Sequence, residues 1–368
     1  MLSRRALLLA LLATAMPMAG LAQALGISRR ALRFPRDFGA HEDTGLEWWY
    51  LTGLLGTGNE AAVAPEFGYQ LTFFRLRNRS EAVQQHPSAL APRQLMLGHV
   101  ALSDLRPGAP QVMRHEQRLA RIGLGARCSN TDCAVQLRDW TLQRQGAIDR
   151  SRYLARFGGR DFALALELQA ALPPLLQGDA GYSRKGPLES NASHYYSQTQ
   201  LRSRATLQLG GKQVDLSGRS WLDHEWSDSL LPADAVGWDW LGVNLLDGGA
   251  LTAFRLRRAD GSTLWAGGSW RQADGSTRSF TPEELSFTPE RHWRSPLSGA
   301  DYPVHWRLRT PLGVLRLQAL ADAQEIDARG SSGLLYWEGA AELRSAQSGT
   351  LLGRGYLEMT GYRERMTL

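Results

Sequence analysis

The stretch Phe162-Ala-Leu-Ala-Leu-Glu-Leu-Gln169 decides the fold. In an extended chain Phe162, Leu164, Leu166 and Leu168 fall on one face, with Glu167 and Gln169 on the other. That period of two marks a half-buried strand. Similar runs recur at 47–55, 69–77, 94–105, 135–142, 193–209, 213–226, 238–246, 251–257, 264–270, 304–320, 334–343 and 356–362. Between them Asp247-Gly248-Gly249, Ala259-Asp260-Gly261-Ser262 and Asp274-Gly275-Ser276 read as hairpin or short-loop connections. Helical periodicity is scarce, and Thr281-Pro-Glu-Glu-Leu285 suggests a single helical turn. Many strands at short intervals predict an all-β chain, an antiparallel sandwich or barrel.

The strands divide into two series. The first runs from about Phe34 through Trp226 (34–226) and the second from about Ala235 to the carboxyl terminus (235–368). The stretch 227–235, with Asp228, Pro232 and Asp234, reads as a linker, and no sequence repeat marks a duplication. The 368 residues suit two domains or one large β domain. With 43% hydrophobic and 21% charged residues, the composition argues against disorder, collagen and coiled coil. The formal charge of +6 includes Arg4 and Arg5, which lie in an amino-terminal leader without acids, so the chain without that leader carries +4. The remaining basic residues are almost all Arg and are interleaved with Asp and Glu, which excludes a nucleic-acid footprint.

The leader (1–24) has a short basic region, an apolar run from Ala6 to Ala15 and a small-x-small site at Ala22-Gln23-Ala24. This pattern predicts a secretory signal peptide cleaved after Ala24 and a periplasmic or secreted protein. Its apolar run falls short of the roughly 20 residues of a spanning helix. In an exported protein, the only two cysteines, Cys128 and Cys133, are expected to form a disulfide closing a small turn. The rival reading, half of a metal site, lacks a second Cys pair or clustered His, so no metal is expected.

Several catalytic signatures are absent. There is no Gly-x-Ser-x-Gly elbow, no Walker loop and no dinucleotide fingerprint, and no His-Glu pair has the second His of a zincin. What remains is a set of segments that place ionisable groups beside large rings: Glu47-Trp48-Trp49-Tyr50, Ser193-His194-Tyr195-Tyr196-Ser197, Trp221-Leu222-Asp223-His224-Glu225-Trp226 and Gly237-Trp238-Asp239-Trp240. In a β-barrel, such strands line an apolar cavity carrying a few polar groups, the usual make-up of a ligand site.

Alternation sorts these residues. Leu222, His224 and Trp226 share one face, and Trp221, Asp223 and Glu225 the other. If the first face lines the cavity, His224 meets a ligand with Trp226 stacked nearby. Asp239 shares its face with Leu241, Val243 and Leu245, where burial would raise its pKa and favour the protonated form an acid catalyst needs. The candidate catalytic residues are therefore His224, Asp239 and Trp226. Glu47, Trp49, Tyr50, His194, Tyr196, Asp223, Glu225, Trp238 and Trp240 are candidates for the ligand. A structural reading stands beside each: Glu47 to Tyr50 as a barrel closure, Tyr195 and Tyr196 as core, His224 as an ion-paired residue near the linker.

On these four segments, with Gly68-Tyr-Gln-Leu-Thr-Phe-Phe-Arg75 and the ending Gly353-Arg-Gly-Tyr-Leu-Glu-Met-Thr-Gly-Tyr362, the chain resembles the carotenoid 1,2-hydratase (hydroxyneurosporene synthase) family, including its AttH-type branch of secreted proteins. The resemblance implies two lipocalin-like β-barrels in tandem, no cofactor, and addition of water to an isoprenoid double bond by way of a tertiary carbocation. Aromatic faces would stabilise that cation, and a dry cavity would protect it. His224 and Trp226 match the family's His and the Trp two residues later, whereas Asp239 as the acid comes from the face argument alone. The expected partner is a hydrophobic small molecule, isoprenoid or lipid. Association with a membrane surface or a transporter stays open, as does oligomeric state. The alternative function is a non-catalytic carrier of such a molecule.

Overall fold

The computed structural model describes residues 26–58, 64–109, 112–330 and 332–367; the predicted leader lies outside them. The chain is all-β, as the alternation implies. Strands between Leu46 and Ser227 build a 13-stranded sheet in which the long strand Ala192–Leu209 pairs on one side with Lys212–Ser227 and on the other with Phe162–Gln169. That second pairing closes eleven of the strands into a barrel. Strands between Gly237 and Thr360 form a separate 10-stranded curled sheet. Among the described residues no ladder joins its edge strands, Thr277–Phe280 and Ser286–Arg294.

The burial of each strand follows from what covers its two faces. Phe162–Gln169 alternates strictly, with Phe162, Leu164, Leu166 and Leu168 in the barrel core and the intervening residues in water. Leu46–Gly56, Phe67–Arg77 and Gln94–Asp104 are buried nearly throughout, because their outward faces pack against the second sheet. Strands covered on both sides lose the polar alternation that a half-exposed strand keeps. The sheets approach closely: a Cβ on Gly68 would lie 2.6 Å from the Tyr356 hydroxyl of the second sheet.

Two runs read as single strands are hairpins. The run 135–142 splits into Ala134–Leu137 and Trp140–Gln145 around Arg138, which adopts a φ of 57°. The run 304–320 splits into Asp301–Thr310 and Gly313–Ala319, with Gly313 at a φ of 109°. The strands Met113–Ile122 and Ser286–Arg294 escape the pattern because each buries a single residue, Ala120 and Phe287, and so shows no apolar alternation. The turn at Thr281 is a 3₁₀ helix over Pro282–Glu284, closed by a capping box between Thr281 and Glu284.

Cys128 and Cys133 are free thiols, which corrects the expected disulfide. The ladder sets Cys128 opposite Val135 rather than Cys133, and Cys133 is buried in the core. Burial, with nearby carboxylates, pushes the Cys128 thiol up to about 12, and Cys133 is raised for the same leading reason.

Candidate functional site

Every polar-aromatic segment straddles its strand, sending alternate residues to two different places. Trp48 and Tyr50, Ser193 and Tyr195, Asp223 and Glu225, and Trp238 and Trp240 face a cavity between the two sheets. Their neighbours Glu47 and Trp49, His194 and Tyr196, and His224 and Trp226 point into the first barrel, and Asp239 into the core of the second sheet. The alternation groups the residues correctly. The cavity lies outside the first barrel, so Asp223 and Glu225 line it and His224 and Trp226 do not.

The inward set forms a hydrogen-bonded network centred on Glu47. Glu47 Oε1 lies 2.8 Å from both His224 Nε2 and His41 Nδ1, while Arg75 Nε donates to Oε2 at 2.7 Å. His41 reaches Asp37 with its other nitrogen at 3.0 Å, and His224 reaches the Tyr196 hydroxyl at 3.1 Å. The rings stack: His41 on Trp226 at 3.7 Å between centroids, and His224 on Trp49 at 4.7 Å. Burial opposes the charge on Glu47, but the hydrogen bonds from His224 and His41 outweigh it and hold the carboxylate well below its usual range. Burial pushes the His224 imidazole down. His41, Glu47 and His224 place three donor atoms within 4.8 Å of one another, a set that could hold a metal. However, Glu47 already bonds both imidazoles, and a dication there would face the Arg75 guanidinium; shared protons satisfy the cluster as it stands. His194 lies at the edge of this network, its Nε2 3.1 Å from the Ser28 carbonyl.

Asp239 is equally committed. Arg255 Nε donates to it at 2.7 Å, Arg257 Nε lies at 3.1 Å, and the Tyr362 hydroxyl donates at 2.8 Å. This carboxylate, engaged by two guanidiniums, lies on the far side of its strand from the cavity. His224 and Trp226 also lie away from the cavity lining, where they were expected to meet a ligand.

The cavity has a volume of about 100 Å³ and opens to solvent. Its walls are rings and aliphatic side chains: Trp48, Trp238 and Trp240, Tyr50 and Tyr195, Phe74 and Phe254, with Leu230 and Leu231 from the segment joining the sheets. Four carboxyl groups face this surface. Asp223 accepts hydrogen bonds from Tyr195 (2.8 Å), Ser197 (2.5 Å) and Trp221 (2.7 Å), and burial pushes it up to about 7. Glu225 lies 3.5 Å from Lys185, yet burial still raises it, and burial lowers the Lys185 ammonium. Glu358 accepts from Trp238 Nε1 at 3.0 Å and is pushed up to about 7, again by burial.

Glu338 differs from the other three. It is 1% exposed, and neither carboxyl oxygen has a hydrogen-bond partner among the described residues. Burial, reinforced by the neighbouring Glu358 charge, drives it well above the ordinary carboxylate range, and the nearby Tyr50 hydroxyl offsets little of that. An unpartnered buried carboxyl is a neutral acid at neutral pH. Sequence reasoning passed over Glu338, Glu358, Gln70 and Lys185. The signal was present in two Tyr-x-Glu pairs, Tyr336/Glu338 and Tyr356/Glu358, each with apolar residues on the opposite face of its strand.

No curated protein matches the chain by sequence. Among solved structures, an AttH protein from Nitrosomonas europaea superposes with a TM-score of 0.80 at 42% identity, over 91% of this chain and 98% of that one. Kievitone hydratase from Nectria haematococca superposes at 0.65 with 16% identity, over 90% and 93% of the two chains. CghA superposes at 0.51 with 10% identity, over 88% and 90%, a likeness that, like the kievitone hydratase match, speaks for the fold alone. The AttH-like family matches residues 26–362, nearly the whole sequence and every segment that carried the resemblance, and the chain belongs to that family.

Proposed function

We propose that this protein is a cofactor-free hydratase that adds water to a carbon–carbon double bond of a hydrophobic, isoprenoid-like substrate held between the two sheets. The observation that carries the reading is Glu338, a buried carboxyl group without a partner in a cavity walled by aromatic rings. Its proton is available because no protein group accepts it. Transfer to the alkene uses the π pair to form a C–H bond and leaves a tertiary cation, which the faces of Trp48, Trp238 and Trp240 stabilise through their quadrupoles. Water adds to the cation, and the proton it releases returns to the Glu338 carboxylate, so the acid is regenerated. The hydratase among the structural neighbours supports the reading to the extent that this fold can house such chemistry. The leader supports export, and we place the reaction in the periplasm or outside the cell.

The test is incubation with squalene and farnesol in ¹⁸O-labelled water. A product carrying one labelled hydroxyl is expected from the wild type, falling by about 100-fold or more in Glu338→Gln. If every alkene that quenches tryptophan fluorescence is recovered unlabelled, the protein is a carrier and the hydratase reading fails.

A further inference from the structure

Three residues on the cavity wall have buried polar atoms without hydrogen-bond partners: Tyr50 Oη, Gln70 Oε1 and both oxygens of Glu338. They come from different sheets and converge. Tyr50 stands opposite Thr72 on the adjacent strand, and Gln70 lies two residues from Thr72 on the same face, donating its Nε2 to the Thr72 hydroxyl at 2.9 Å. That same Nε2 reaches the Tyr336 hydroxyl of the second sheet at 3.3 Å, two residues from Glu338. The amide nitrogen is therefore committed, and the amide oxygen is the end left facing the space.

Leaving a buried polar group unmade is expensive, and three in one place are seldom left without a ligand. Their chemistry specifies one. Gln70 Oε1 only accepts, the neutral Glu338 carboxyl donates, and the Tyr50 phenol does either. A single hydroxyl, which donates once and accepts twice, pairs with Gln70 Oε1, Tyr50 Oη and the protonated oxygen of Glu338. We infer that Tyr50, Gln70 and Glu338 form a seat for one hydroxyl group: the water that captures the cation and the tertiary alcohol it becomes. This assignment rests on the hydratase reading for its role in the reaction, but the seat itself is a property of the cavity. Tyr50 and Gln70 are then positioning residues that hold the oxygen beside the carboxyl group.

Binding without turnover tests it. Linalool and myrcene share a carbon skeleton and differ by one water. The readout is titration of the full-length exported protein with each, followed by quenching of the cavity tryptophans. The wild type is expected to bind linalool about tenfold more tightly than myrcene, as one or two buried hydrogen bonds require. Gln70→Leu and Tyr50→Phe should each shrink that ratio severalfold while leaving myrcene affinity unchanged. Tyr50→Phe removes a hydroxyl whose one polar neighbour is Glu338, so its melting temperature should change little, and a purely structural role would move neither ligand. Equal affinities in the wild type, no binding of linalool, or a preference kept intact in both variants overturns the seat. A wild type that prefers linalool but incorporates no labelled water into any alkene overturns the hydratase reading and leaves the seat standing.

Discussion

Glu338 and Glu358 stand directly opposite each other on neighbouring strands of the second sheet, both facing the cavity. Like charges so placed repel, and burial holds both carboxyls above their ordinary range, so that they are not both ionised at low pH. A carboxyl whose folded pKa is raised, from 4.5 to about 7 for Glu358, binds more protons folded than unfolded between those values. Its contribution to stability is therefore present at low pH and lost as pH rises through that window. Glu358→Gln removes the loss. The variant is expected to gain about 2 kcal/mol relative to wild type between pH 5 and pH 8. Urea unfolding at the two pH values checks this; a constant difference would mean that Glu358 ionises freely.

The Glu47 network is a closure of the first barrel, and its substitution should act on stability. Removing one partner of a buried charge network leaves the others uncompensated, at about 3–5 kcal/mol. Glu47→Ala is expected to cost that much, leaving His41, Arg75 and His224 without their shared acceptor. His224→Ala should likewise lower the melting temperature. If His224→Ala melts like wild type yet loses all turnover, the imidazole takes part in the chemistry after all.

Much of this architecture is legible in the residues. The alternation of Phe162–Gln169 gives the strand, and the four polar-aromatic segments supply eight of the twenty residues that line the cavity. What alternation leaves undetermined is which side of a strand becomes the cavity. For Trp221–Trp226 both faces are buried, one in the barrel core and one between the sheets. Hydrophobicity cannot distinguish two buried faces, so His224 with its adjacent Trp looks like the chemical side. Glu338 was missed because Leu334–Ser345 reads as an ordinary core strand. Its significance comes only from Tyr50 and Gln70, which lie far away in sequence and meet it across the interface of the sheets.

Asp239 separates the two readings of a buried acid. With Arg255, Arg257 and Tyr362 around it, Asp239→Asn leaves two guanidiniums facing a neutral amide, and a loss of about 3 kcal/mol is expected. Turnover per folded molecule should stay within about twofold of wild type if the acid lies elsewhere. Active-site titration alongside thermal melts separates these effects.

Free thiols make a direct chemical expectation. Cys133 is buried in the core and Cys128 is partly covered, so neither should react quickly with a thiol reagent in the native protein. Both should react once the chain is unfolded without reductant, and the melting temperature should not change on adding dithiothreitol. An intact mass two hydrogens lighter, restored by reductant, would show a disulfide instead.

The pH dependence of hydration identifies the acid. Asp223 and Glu358 are both pushed up to about 7 and Glu338 is held well above the ordinary carboxylate range, so pKa alone does not choose among them. Hydrogen bonding does. Asp223 accepts from three donors, Tyr195, Ser197 and Trp221, which leaves it a single lone pair, on Oδ2. Glu358 is tied at one oxygen by Trp238. Glu338 has no hydrogen-bond partner at either oxygen among the described residues. The rate should follow its protonated fraction, falling about tenfold per pH unit above its raised folded pKa. The acid limb has a different origin. Glu47 and Asp37 are held below their usual range, so the stability they supply is lost as pH falls below about 4.5. Asp223→Asn should keep the alkaline limb in place with a lower plateau, whereas Glu338→Gln should abolish the rate at every pH. An alkaline limb that moves in Asp223→Asn would transfer the role of acid to Asp223.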